Sequence, residues 1–375
     1  MKKKSNRLSA ALGITFVWFT TQFGGGFASG AQLKSYFINY GIWCLITCII
    51  AQAINAFYNG YTVYYCKKHN TYNYRDFCDG IYGKFAPVFS NLYEIIYIVV
   101  LLVVPAVAYA TGGSTLSTLL GIPYMLCTLI IGVFIFVVSI YGTAIVRKTA
   151  TALSVMIVVG LLVVFIPNIL AQWDSVRSNI GALSAKPAPI GPALFSMFLY
   201  ATSQSTPPVA ILSQHASVLE DKKDSAFTFV IGFLVNSAMI FISVLGLLAI
   251  VDLPEYAESS LPILVLVQNG VGGSILTPII SILIILGSVS TAVNMVSAGT
   301  IRVCSALDKD FDPDGKPTKK VVIVTLILCV VGFGVAQFGL LPLVNKGYGL
   351  LGYMAIPVII IPFLIHFLLR KRIDP

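Results

Sequence analysis

Apolar residues gather in ten segments, near residues 8–38, 41–66, 86–111, 120–142, 149–171, 190–219, 225–251, 272–305, 319–341 and 346–369. Each reaches or exceeds the roughly 20 residues that carry a helix across a bilayer core, so the pattern predicts ten membrane-spanning helices. Two of them are interrupted. The first holds Gly24-Gly25-Gly26-Phe27-Ala28-Ser29-Gly30 at its middle, where a spanning helix should be most regular. Glycine costs about 1 kcal/mol against alanine inside a helix, and three in a row free the backbone to leave helical geometry. A small-residue packing face is the competing reading, although consecutive glycines do not share one face of a helix. The sixth segment breaks at Ser203-Gln204-Ser205-Thr206-Pro207-Pro208. Prolines lack a backbone donor and disfavour helix in the preceding residue; a simple proline kink is the alternative there.

Irregular backbone at membrane depth is tolerated only inside protein or along a wet cavity. The two breaks occupy the first position of two five-helix halves, 8–171 and 190–370. Five is odd, so the second half crosses in the opposite direction. Interrupted helices at matching positions of inverted halves point to a secondary transporter with its site near the midplane. The expectation is an all-α membrane protein: one transmembrane domain, 1–375, of ten helices in two inverted five-helix repeats, with helices 1 and 6 broken at mid-membrane.

Composition agrees with the pattern. Hydrophobic residues make up 57% of the 375 and charged residues 10%, with a mean hydropathy of +0.89, which excludes a soluble globular protein. The formal charge of +9 does not imply nucleic acid, because the basic residues are spread over many connections. Of the 24 Lys and Arg, 20 fall before helix 1, after the even-numbered helices and at the C-terminus. By the positive-inside rule both termini are expected on the cytoplasmic side of a plasma membrane. The start at Met1 runs into a segment too long for a signal-peptide core, so the first helix is expected to remain. The seven cysteines include no Cys-x-x-Cys pair; neither a disulfide nor a metal centre is expected. The three histidines are scattered and no His-x-x-Glu-His or Gly-x-Ser-x-Gly run occurs, so no enzyme activity and no cofactor are expected.

The layout resembles the LeuT fold of the amino acid, polyamine and organocation transporter superfamily. Gly24 to Gly30 match the unwound part of its first helix and Ser203 to Pro208 that of its sixth. The stretch Gln22 to Gly30 is particularly similar to that of the bacterial YkvI-type membrane proteins. The resemblance spans residues 8–370 and implies a small-molecule substrate, an amino acid or amine derivative, moved by alternating access across the bacterial plasma membrane. It also implies a sodium site formed by the Ser290 and Thr291 hydroxyls with carbonyls near Phe23 and Gly26. The alternative for these hydroxyls is bonding back to their own helix.

An anionic substrate group would suit a half-helix N-terminus at Gly24, Gly25, Gly26, Phe27, Ala28 and Ser29, aided by Ser203, Gln204 and Ser205. Tyr109 and Phe198 or Tyr200 are candidate walls, and Asn236 and Asn294 further polar candidates. Proton coupling is the rival to sodium, with Glu94 in helix 3 as candidate proton site and His215 and His366 as further candidates. Arg7 with Asp308 or Asp310 is an expected inner latch. A membrane ligand sensor without flux is the rival at the level of class.

Overall fold

The computed structural model describes residues 2–141, 143–308, 311–312 and 317–373, with side chains described outside 2–6, 143–154 and 371–373. Among the described residues there is no strand. Lys2–Lys4, Arg147, Lys148, Lys309, Asp310, Lys316, Lys371 and Arg372, which enter the charge reading above, have side chains outside the described set.

The chain opens with α1 (Lys2–Gln22), α2 (Gly25–Ala28) and α3 (Ala31–Tyr36), followed by the long α4 (Cys44–His69). After α5 (Tyr74–Tyr82) come α6 (Ala86–Leu120), α7 (Tyr124–Tyr141), α8 (Thr143–Ala171) and α9 (Trp173–Ala185). The second half holds α10 (Ile190–Ser203), α11 (Thr206–His215), α12 (Asp224–Leu248), α13 (Pro254–Glu258), α14 (Pro262–Gln268), α15 (Gly273–Leu307) and α16 (Lys319–Ala336). The last apolar stretch, Leu340–Arg370, is one span. In it α17 (Leu340–Pro342), α18 (Gly349–Ala355) and α19 (Ile361–Ile373) alternate with π-turns.

Among the described residues seven helices are long and apolar enough to cross a membrane, or eight if Val155–Ala171 and Trp173–Ala185, bent by 80°, are one span. The chain is a multi-pass membrane protein. The two predicted segments outside this count are the first and the sixth. Neither forms one continuous apolar helix: α1 stops at Thr20-Thr21-Gln22, and α10 stops at Ser203.

Local chemistry explains most boundaries. Helix α4 ends on Asn70 and α6 on Gly121, both in the left-handed conformation, the usual way to close a helix C-terminus. Asn73 and Thr318 cap α5 and α16 by accepting backbone N–H bonds from Asp76 and Val321. Helix α6 continues nine residues past the predicted end at 111. There Thr111 and Thr115 satisfy their hydroxyls on the carbonyls of Val107 and Thr111. Gly112 and Gly113 meanwhile let α7 approach through Ile131 and Thr128, so polar and small residues that read as a loop remain helix.

Packing divides the helices into two groups. Helices α1, α4, α10, α11 and α12 lie against one another, as do α6, α7, α15 and α16. The short α2 follows directly on α1 of the first group and touches α6 and α15 of the second, which puts the glycine run at the seam. The outward faces stay apolar, with Ile46, Phe57, Leu126, Val133, Val230 and Leu326 exposed, as suits hydrocarbon.

Candidate functional site

A cavity of about 580 Å³ lies at that seam. The end of α1 and the glycine run form one wall, α6 and α15 the opposite one, and the α10–α11 junction with Tyr348 the third. The backbone enters the wall because the chain leaves helical geometry at Gly24, whose ψ is −166°. Closeness to α15 requires the glycines: a Cβ on Gly25 would overlap the Ser288 hydroxyl, and one on Gly24 would sit 3.3 Å from Thr291 Oγ1.

The structure gathers a large part of the predicted site. Phe23, Gly24, Gly25, Gly26, Ser203, Gln204, Ser290, Thr291, Asn294 and His215 all line this cavity. The four residues expected to hold an ion are therefore on one cavity. Thr291 Oγ1 donates to the Gly287 carbonyl at 2.9 Å, and the Gly26 carbonyl accepts from Ser29 Oγ at 2.9 Å.

Several expected members face elsewhere. Phe27, Ala28 and Ser29 are buried beside the cavity rather than on it. Their amides do not await an anion: those of Phe27 and Ala28 donate to the Gly24 carbonyl, and that of Ser29 to Gly25. These three amides are closed onto the preceding carbonyls by tight turns, and Gly24 to Gly26 line the wall instead. Ser205 is off the cavity with its hydroxyl on the Thr202 carbonyl, and Ser203, which does line it, bonds its hydroxyl to the Tyr200 carbonyl. Tyr109 is fully buried against Gly132 and Gly332; one residue along a helix is a turn of about 100°, and its neighbour Ala108 lines the cavity in its place. Phe198 is half-buried outside the cavity. Asn236 is buried and bonded to the Gly232 carbonyl, and His366 packs beside Tyr61 and Tyr65.

Gln22, Gln32 and Tyr348 are the members that sequence reasoning missed. Gln22 Nε2 donates to the Tyr200 hydroxyl at 3.3 Å, while Oε1 of Gln22 and of Gln32 are buried without a hydrogen-bond partner. The signal was available: two glutamines flank the glycine run ten positions apart, inside an apolar segment.

Helices α13 and α14, here termed the lid, pack against the Ser29–Gly30 end of the glycine run, with residues 262–267 of α14 all buried. The Ile263 amide donates to the Ser29 carbonyl at 3.2 Å. Lys34, 7% exposed, donates from Nζ to the carbonyls of Tyr256, Ala257 and Ser259 at 2.7, 2.8 and 2.9 Å. Burial pushes the Tyr256 phenol above its ordinary value. The more accessible lining residues, Thr20, Thr21, His215 and Asn294, lie toward the end of the bundle where α1 begins.

The expected latch is different in kind. Arg7 pairs with Asp224 at 2.6 Å, joining α1 to the start of α12, and Asp308 pairs with Lys320 at 3.1 Å. Asp310, the other latch candidate, lies outside the described residues. Glu94 does not reach the cavity. It pairs with Arg302 on α15 and accepts from the Tyr74 hydroxyl at 2.9 Å, tying α5 and α6 to α15. Glu94→Gln is expected to destabilise the protein by about 1–2 kcal/mol, between the worth of exposed and of buried pairs. It should leave the pH dependence of ligand binding unchanged, which melting curves with and without ligand at several pH values would check.

The solved structures this helical bundle resembles are LeuT-fold transporters, and the likeness carries that fold. No protein-family model matches the chain, and no curated protein sequence does. Among solved structures, it is similar over 97% of its length, and 80% of the other chain, to a manganese transporter of Eremococcus coleocola in complex with an aromatic bis-isothiourea substituted compound, with a TM-score of 0.61 and 15% identity. The inward-facing conformation of Mhp1 matches 96% of this chain and 77% of its own, with a TM-score of 0.60 and 14% identity. A sodium-coupled sialic acid symporter in its substrate-bound outward-open state matches 97% of this chain and 87% of its own, with a TM-score of 0.50 and 13% identity. At these identities the likeness carries the fold and not the substrate.

Proposed function

We propose that this protein is a secondary transporter of a small organic solute, an amino acid or amine derivative, that works by alternating access with sodium as coupling ion. In this reading α1 to α3 and α10 to α11 are the broken first and sixth spans of ten, and the halves 8–171 and 190–370 are inverted repeats. The observation that carries it is the meeting of Phe23, Gly26, Ser290 and Thr291 with Ser203 and Gln204 on one cavity. Hydroxyl and carbonyl oxygens suit a monovalent cation that must also leave.

The same cavity favours an ammonium-bearing solute. The partnerless Oε1 atoms of Gln22 and Gln32 are acceptors, and a buried acceptor left unpaired costs about 1–3 kcal/mol, which a substrate N–H would recover. No Asp, Glu or Cys lines the cavity among the described residues. A divalent metal prefers carboxylate ligands, so an organic cargo fits these walls better than manganese.

The test is a thermal-shift panel of amino acids and quaternary amines, each with sodium and with potassium in its place, followed by uptake of the stabilising solute into liposomes. Binding to the folded state raises apparent stability by mass action. Sodium-dependent stabilisation is expected, and Ser290→Ala with Thr291→Ala should weaken the sodium response by about tenfold per lost ligand, at roughly 1–1.5 kcal/mol each. Stabilisation indifferent to sodium would sink the ion assignment. His215, on the cavity wall, is the specific reason to keep a proton-coupled second reading; it requires uptake that follows pH and changes in His215→Gln.

A further inference from the structure

A second concavity, of about 540 Å³, lies on the outer surface between α4, α12 and α19. Phe57, Tyr64, Phe229, Val230 and Phe367 make its walls, and Arg370 stands at one end. Gly60 sets its floor by letting α4 close on Phe229, 3.2 Å from where a Cβ would stand. The volume is within the roughly 300–1,000 Å³ of small-molecule sites. The walls are apolar, and they open where the spans face hydrocarbon.

The end of the groove is cationic. The Arg370 guanidinium lies 3.8 Å over the Phe367 ring and donates to the Phe367 carbonyl at 2.5 Å. Lys222 Nζ is 6.0 Å from the ring of Tyr64. No carboxylate pairs with either among the described residues. Asp224, at the start of α12, is already taken by Arg7. An apolar slot with one uncompensated cation on its lining and a second beside its Tyr64 wall matches an amphiphile with an anionic head and a hydrocarbon tail.

We propose that this groove is a binding site for one anionic phospholipid, its acyl chain along α4 and α12 and its phosphate between Arg370 and Lys222. The lipid joins α4 and α12 to α19, three helices from distant parts of the chain. Each surface cation contributes about fivefold to anionic-lipid affinity, so the pair contributes roughly 30-fold.

The full chain is delipidated in detergent and titrated with phosphatidylglycerol or with phosphatidylcholine of the same acyl chains, and lipid retention is read by native mass spectrometry beside the melting temperature. One retained phosphatidylglycerol and a melting point higher by several degrees are expected, with neither from phosphatidylcholine. Arg370→Gln with Lys222→Gln should weaken retention about 30-fold. Ala53→Phe, which fills the exposed groove and keeps both cations, should weaken it as well, and soluble glycerol phosphate should give no stabilisation. Equal retention of the two lipids, an unchanged response in the double variant, or a dimer mass in place of a bound lipid would overturn the proposal.

Discussion

Gly25→Ala is expected to be among the most damaging single-methyl changes in the molecule. The added Cβ overlaps the Ser288 hydroxyl and stands 3.1 Å from Ser288 Cβ and 3.3 Å from its Cα. Ser288 Oγ is held on the Ile284 carbonyl at 2.7 Å, so it cannot swing aside without giving up that bond. The glycine segment must therefore retreat from α15, and it carries Phe23 and Gly26 away from Ser290 and Thr291. Overpacking of this kind costs about 1–3 kcal/mol, visible as a lower melting point. The larger effect is on the ion response, which should fall by more than about tenfold, because coordination fails within a fraction of an ångström while stability does not. Ser288→Gly should restore part of both, the coupling that a double-mutant cycle measures between touching residues. Gly13→Ala, inside α1 and where a Cβ meets nothing within 4 Å, is the control: it should raise stability by up to about 1 kcal/mol through helix propensity and leave the sodium response unchanged. An undiminished sodium response in Gly25→Ala would show that the close approach to α15 does not hold the site together.

Lys34→Met should release the lid. Methionine keeps most of the side-chain volume but leaves the carbonyls of Tyr256, Ala257 and Ser259 without their donor. Bonds to a charged donor are worth about 1.5–3 kcal/mol each, and their combined loss, after relaxation and hydration, is expected to be on the order of 3 kcal/mol. If that loss falls on the lid-closed state alone, it shifts the balance between closed and open by about a hundredfold. The readout is a cysteine at Val104, on the cavity wall, labelled by an impermeant maleimide applied from the lid side in sealed vesicles. The seven native cysteines are buried, which keeps the background low. Labelling from the lid side should be slow in the parent and much faster with Lys34→Met. Lys34→Arg, which retains charge but presents a planar fork to three converging carbonyls, should fall between them. Equal rates in all three would mean that Ile263 and the apolar face of α14 hold the lid without the ammonium.

Much of the site is legible in the order of residues, and for identifiable reasons. Gly24 to Gly26 and Pro207-Pro208 are covalent statements about backbone geometry, so the interruptions announce themselves. Ser290 and Thr291 are visible as adjacent hydroxyls in an apolar helix. What misleads is direction. Phe27, Ala28 and Ser29 read as carriers of free amides, but tight turns close them onto the preceding carbonyls. Tyr109 reads as a wall residue, a position that belongs to Ala108, one step around the helix. Glu94 reads as a membrane carboxylate awaiting a proton, and its partner Arg302 lies 208 positions away in the chain, beyond any pattern of spacing.

Hydrophobic period, glycine and proline act within a few residues of themselves. For that reason the bare chain already specifies where most helices lie, that the protein belongs in a membrane, and where its backbone leaves helical form. Which side chains share the cavity, that Gln22 and Gln32 join it, and that Lys34 fastens a lid built more than 200 positions further on emerge only in the packed molecule. Those outcomes depend on the rotation of each helix about its axis and on which helices pack together, and such choices are made by long-range packing that no local stretch of chain encodes.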